Sequence, residues 1–149
     1  AARPTSLATS LPTSLLTSLT SSLTVAATGA ASVDDTWRRY TVPELWSSWS
    51  PQIRSVTTAQ PDACVTAGTV GTVVGPAGVQ VPFTVTDVDD DARRWTWQVR
   101  AGLVTLVLEH GVDAVDGRTR AWARVTGPLP VVLGYVPLAR FALGRLVAA

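Results

Sequence analysis

His110 is the only histidine in the chain, and the segment around it alternates in polarity. If residues 103–112 form a strand, Val104, Leu106, Leu108, His110 and Val112 share one face, because successive side chains point to opposite sides. Thr105, Val107 and Glu109 fall on the other. Burial disfavours the charged form of an imidazole, so a histidine among aliphatic side chains is expected to be neutral. Such a ring can move a proton as general acid or base, or hydrogen-bond a hydroxyl or carbonyl of a bound molecule. The alternative is a core histidine that pins the strand end near Gly111.

Tryptophans come next. Trp95 and Trp97, with Val99, oppose Arg94, Thr96, Gln98 and Arg100 in the segment 93–100. An indole wall offers a flat apolar surface and one N–H donor; plain core packing explains the pattern as well. Val81, Phe83 and Val85 form the matching apolar set in 79–88. Trp46 and Trp49 are three apart, one face of a helix. They either gate a cavity mouth or pack a short helix against a sheet end.

Other charged patterns carry less. Arg118, Arg120, Trp122 and Arg124 alternate with Thr119, Ala121, Ala123 and Val125. The arginine face reads as solvated. In the opposite register Trp122 and Arg124 would turn inward, where a guanidinium could hold a carboxylate or enolate oxygen. Asp89-Asp90-Asp91 reads as a hairpin turn, since three consecutive residues do not aim their carboxylates at one point. Gly68, Gly71, Gly75 and Gly78 lack the lysine and following helix of a phosphate loop, so turn geometry accounts for them.

Absences narrow the chemistry. All twelve basic residues are arginines. Without lysine there is no P-loop lysine and no Schiff base, hence no pyridoxal-phosphate site. One histidine and one cysteine, Cys64, leave no multi-histidine metal site, no intrachain disulfide and no Cys-x-x-Cys pair. No metal and no organic cofactor is expected. A lone free thiol fits a reducing, cytoplasmic compartment. The net charge of +1 gives no electrostatic case for nucleic acid. No apolar run reads as long enough for a transmembrane segment. At 149 residues, 46% hydrophobic and 15% charged, the chain can bury one substantial core. The arginine-only basic set, with much alanine and valine, is the coding bias of a GC-rich genome such as an actinobacterium's.

The elements that must position these residues follow from local signals. Residues 1–22 form a compositional zone of their own, in which Thr-Ser-Leu recurs at 5–7, 9–11, 13–15 and 17–19. It reads as a low-complexity N-terminal extension. The folded domain is expected over 23–149. Residues 23–28 form a first strand. Asp34 or Asp35 caps a short helix through Thr36–Thr41. Pro43 and Glu44 suit the first turn of a second, carrying Trp46 and Trp49, which Ser50-Pro51 ends. Six strands follow, near 53–60, 66–75, 79–88, 93–100, 103–112 and 118–126. Their short connections demand antiparallel pairing. Residues 129–147 form a long apolar helix, kinked or divided at Pro137.

This order of elements resembles the helix-grip fold of the START-like superfamily, also called SRPBCC, and within it the polyketide cyclase/dehydrase-like branch. The residues that carry the resemblance are Trp46-x-x-Trp49-Ser50-Pro51-x-Ile53, Gly75-Pro76-x-Gly78, Trp97, Glu109-His110-x-Val112, Gly117-x-Thr119 and Gly127-Pro128-Leu129, in that order. The fold class it implies is α+β: a seven-stranded curved antiparallel sheet wrapped around a long C-terminal helix, with two short helices after the first strand. It also implies a mostly apolar cavity between sheet and helix. The expected ligand contacts are Trp46, Phe83, Trp95, Trp97, Leu106 and Leu108. To these are added His110, Tyr135 and Phe141. The implied partner is an apolar small molecule, lipid, polyketide or quinone-like, held by a carrier or sequestering protein. The alternative is a cyclase or dehydratase with His110 as acid/base.

Overall fold

A computed structural model describes residues 20–149; the Thr-Ser-Leu repeats at 5–19 lie outside the described residues. Strand β1 (Thr20–Gly29) leads to helix α1 (Val33–Thr41), then a 3₁₀ turn at Pro43–Leu45 and the single-turn helix α2 (Trp46–Trp49). Strands β2 (Ser55–Thr58), β3 (Val70–Val74), β4 (Gln80–Asp89), β5 (Arg94–Ala101), β6 (Val104–Val115) and β7 (Arg118–Pro128) follow, and helix α3 (Leu129–Leu146) closes the domain. The sheet order is β1-β7-β6-β5-β4-β3-β2, and every neighbouring pair is antiparallel. This is the expected curved helix-grip arrangement.

Several element boundaries differ from expectation. β1 starts at Thr20, so residues 20–22 belong to the sheet and not to the extension: Thr20 pairs with Pro128. α1 begins a few residues earlier than read, because Ser32 caps it. Its side chain accepts from the Asp35 N–H at 3.1 Å, leaving Asp34 and Asp35 in the first turn, where acids favour the positive helix end. β2 and β3 are shorter than read. Between them the Thr66–Thr69 turn joins β4: the Gly68 and Val85 N–H groups donate to the Val85 and Thr69 carbonyls.

Strand parity is as the alternation demands. Val25, Phe83, Val85, Trp95, Trp97, Leu106, Leu108, His110, Val112, Ala121, Ala123 and Val125 are all buried on the inner face. The register that would turn Trp122 and Arg124 inward does not occur. Trp122 lies flat on the outer face over Gly111, under the Arg94 guanidinium at 5.0 Å, and donates to Asp113 Oδ2 at 3.2 Å. Arg124 approaches Glu109 at 3.8 Å. Asp89-Asp90-Asp91 opens a hairpin turn in which Asp89 Oδ1 accepts from the Ala92 N–H at 3.0 Å.

α3 runs unbroken through Pro137. The missing N–H strands the Leu133 carbonyl, but both residues are exposed, so water can serve that oxygen and no division is needed. By length and composition α3 is apolar enough to cross a membrane, with a mean hydropathy of 1.3. That corrects the reading that no run is long enough. Here it is the core helix, laid along β1 and β7. Its end is clamped by Arg39, whose Nη1 donates to the Leu146 carbonyl at 2.8 Å and Nη2 to the Arg145 carbonyl at 3.1 Å. A cation at a helix C-terminus meets the negative end of the helix dipole and its unpaired carbonyls. Arg145 Nη2 donates in turn to the Ser48 carbonyl at 3.0 Å, tying α3 to α2.

Candidate functional site

Between the inner sheet face, α2 and α3 lie two adjoining spaces. The inner chamber has a volume of about 40 Å³ and reaches Trp95 and His110. The outer groove has a volume of about 330 Å³ and opens past Val79 and Val81. Gln52, Ile53, Trp97, Leu108 and Tyr135 line both. Among the described residues, no Asp, Glu or Arg side chain lines either space.

The chamber's wall is a stack of rings. Trp95 lies between Trp46, at 5.7 Å and 10° between planes, and His110, at 3.8 Å and 9°. Tyr40 meets His110 edge-on at 5.1 Å, and Trp97 meets both Trp95 and Trp46 edge-on. Such offset and edge-to-face pairs suit the ring quadrupoles and hold each other in place.

His110 Nδ1 is 3.1 Å from the Trp95 carbonyl. A carbonyl only accepts, so in the neutral ring Nδ1 carries the proton and Nε2 is a bare acceptor. Burial lowers the His110 pKa from 6.5 to about 3, and the backbone hydrogen bond opposes that only in part. Burial also raises the Tyr135 pKa, against the neighbouring Gln52 amide. Gln52 Oε1 itself has no partner. Tyr40 is raised well above the usual phenol value, chiefly by burial and secondarily by Tyr135, and its hydroxyl donates to the Trp122 carbonyl at 2.8 Å.

The four tryptophans on the inner side divide into two kinds. Trp46 Nε1 donates to the Tyr40 carbonyl at 3.0 Å, and Trp49 Nε1 to the Arg39 carbonyl at 2.9 Å. Both serve carbonyls near the C-terminal end of α1, which lack intrahelical donors. These two tryptophans are therefore packing residues, although both also line the chamber. Trp95 and Trp97 Nε1 have no partner. Of the four buried side-chain atoms left unpaired among the described residues, Trp95 Nε1, Trp97 Nε1 and Gln52 Oε1 belong to cavity-lining residues. The fourth, Thr36 Oγ1, belongs to α1.

Of the residues expected to contact a ligand, Trp46, Trp95 and His110 line the chamber, Leu106 lines the groove, and Trp97, Leu108 and Tyr135 line both. Phe83 lines neither. It stands behind the wall, 5.1 Å from Trp97 and 5.6 Å from Trp46 by ring centroid. Phe141 is misplaced by the sequence reading: it is 59% exposed on the outer side of α3. The helix turns Ala139, Ala142 and Leu143 to the chamber instead, and small side chains let it approach the sheet. Sequence reasoning missed Tyr40 and Gln52. Tyr40 shares a buried helix face with Thr36, four residues earlier, which was a usable signal. Gln52 sits in an irregular loop with no periodicity to place it.

Comparison with known proteins agrees with this geometry. The protein is similar in structure to the hypothetical protein jhp0584 from Helicobacter pylori, with a TM-score of 0.69 and 15% identity over 88% of this chain and 87% of that one. It is also similar to Ara h 8.0201, with a TM-score of 0.63 and 14% identity over 85% of this chain and 97% of that one. At such identities the likeness is one of fold. No curated protein sequence shows significant similarity. The sequence model for polyketide cyclase/dehydrase and lipid transport proteins matches residues 20–149, the whole of the described domain, and the chain belongs to that family.

Proposed function

We propose that the protein binds an apolar small molecule, of the lipid, polyketide or quinone-like kind, in the cavity between sheet and α3, and acts as a carrier or sequestering protein. The observation that carries this reading is the groove of about 330 Å³, walled mostly by aliphatic and aromatic side chains and adjoining the ring-lined chamber. Its size is in the range of small-molecule sites. The family's description as cyclase, dehydrase and lipid-transport proteins supports the same ligand class. A cyclase or dehydratase working through His110 is the alternative. A group with a pKa of about 3 is a poor base at neutral pH, where general catalysis favours a pKa near the working value.

Native mass spectrometry of the freshly purified protein, followed by denaturation and extraction, tests the reading. A retained apolar mass supports it. An empty protein that takes up no fatty acid, sterol, quinone or aromatic polyketide defeats it. His110→Gln separates the two functions: a carrier changes affinity by about 1 kcal/mol, one net hydrogen bond, while an enzyme loses turnover by roughly a hundredfold or more.

A further inference from the structure

We infer that the cavity selects a neutral ligand with a carbonyl or similar acceptor for the Trp95 and Trp97 indole N–H groups and a hydroxyl or N–H donor for Gln52 Oε1. This deepens the proposed function and rests on that reading of the cavity. Trp95 and Trp97 are 2% and 8% exposed, and neither indole nitrogen has a partner. Buried donors are nearly always paired, because leaving one unmade forfeits its hydration with no return. The same fold pairs the Trp46 and Trp49 indoles with backbone carbonyls, so Trp95 and Trp97 are the exception and both line the chamber. Their rings stand 5.3 Å apart by centroid, on the same part of the chamber wall. Gln52 Oε1, the unpaired acceptor, belongs to a side chain at the junction of chamber and groove. His110 Nε2 adds a second acceptor.

The volumes set how such a ligand sits. A chamber of about 40 Å³ takes one polar substituent or a few waters, and the 330 Å³ groove takes the carbon frame. The ligand enters polar end first. With no arginine among the described residues of either lining, a carboxylate or phosphate there would lose its hydration without a counter-charge. A pure hydrocarbon would leave both N–H groups unpaired. The site therefore discriminates against anionic lipids and hydrocarbons alike.

The test is calorimetric titration at neutral pH with three probes on one frame: a hydroxyfluorenone, fluorene and a fluorene carboxylate. Hydroxyfluorenone binds at least about tenfold more tightly than fluorene, the scale of one or two buried hydrogen bonds gained, and the carboxylate binds most weakly. Gln52→Leu reduces that preference, because it removes the acceptor for the ligand's donor. Trp97→Phe reduces the preference further. If fluorene binds as well as hydroxyfluorenone, or Gln52→Leu leaves their ratio unchanged, the N–H groups serve only trapped water and the polar selection is wrong, while the apolar cavity stands. Tightest binding by the carboxylate also overturns the selection. If no probe binds, both the selection and the cavity reading fall.

Discussion

Acid should unfold this protein partly through His110. In the unfolded chain the imidazole titrates near its ordinary value of about 6.5; in the folded chain burial lowers that to about 3. Above pH 6.5 both states hold a neutral ring, and His110 contributes nothing to pH dependence. As the pH falls from 6.5 toward 3, the unfolded state takes up a proton that the folded state refuses. Stability then falls by about 1.4 kcal/mol per pH unit. By pH 4 the loss is roughly 3 kcal/mol, a large share of the 5–15 kcal/mol that stabilises a typical domain, all at order-of-magnitude precision. No carboxylate lines the chamber to rescue the imidazolium, and Glu109 and Asp113 stand on the opposite face of β6. The assay is urea unfolding followed by tryptophan fluorescence at pH 7, 5.5 and 4, for the parent and for His110→Phe. Phenylalanine keeps a ring against Trp95 but removes the titration. Carboxylates shared by the two proteins cancel in the difference. The parent should lose about 2–3 kcal/mol more than the variant between pH 7 and 4. If the two curves run parallel, the ring is not excluded from water as described and the argument is wrong.

Three further outcomes follow from close contacts. Gly29→Ala would drive a Cβ into the Val147 carbonyl oxygen, at the point where the Ala31 N–H holds the end of α3. It should destabilise by about 1–3 kcal/mol or more and lower Tm by several degrees in thermal denaturation; an unchanged Tm refutes the contact. Gly111→Ala would drive a Cβ into the Trp122 ring, lifting the indole from Asp113 and Arg94. Near-ultraviolet circular dichroism should show altered tryptophan bands, with a loss of about 1–3 kcal/mol. Tyr40→Phe removes the hydroxyl that donates to the Trp122 carbonyl and should cost about 1 kcal/mol by chemical denaturation. In the parent, spectrophotometric titration should show Tyr40 still protonated well above pH 10, the direction set by its burial.

Much of the site was legible because strands obey a local rule. Once Val104, Leu106, Leu108 and Val112 are recognised as one face, His110 has no choice of side, and the same parity places Trp95 and Trp97 beside it. Asp116-Gly117 fixed the last hairpin in the same local way: both residues take positive φ, 49° and 73°, as a tight two-residue turn requires. These features depend on neighbours a few residues away, so the amino-acid order determines them.

Where local order is silent, the tertiary structure decided. α3 carries apolar side chains on every side, with only Arg140 and Arg145 charged, so periodicity could not tell Phe141, which faces solvent, from Ala139 and Ala142, which face the chamber; contact with β1 and β7 made that choice. Trp46 and Trp95 are the same residue type, yet one indole N–H reaches the Tyr40 carbonyl and the other reaches nothing. The difference is set by where α1 ends relative to the sheet. Gln52 joins the cavity from a loop whose path depends on the packing of β2 against β3. The sequence by itself settled which faces are apolar and how the chain turns between strands. Only the assembled fold settled which polar atoms find partners, because pairing depends on atoms brought together from distant parts of the chain.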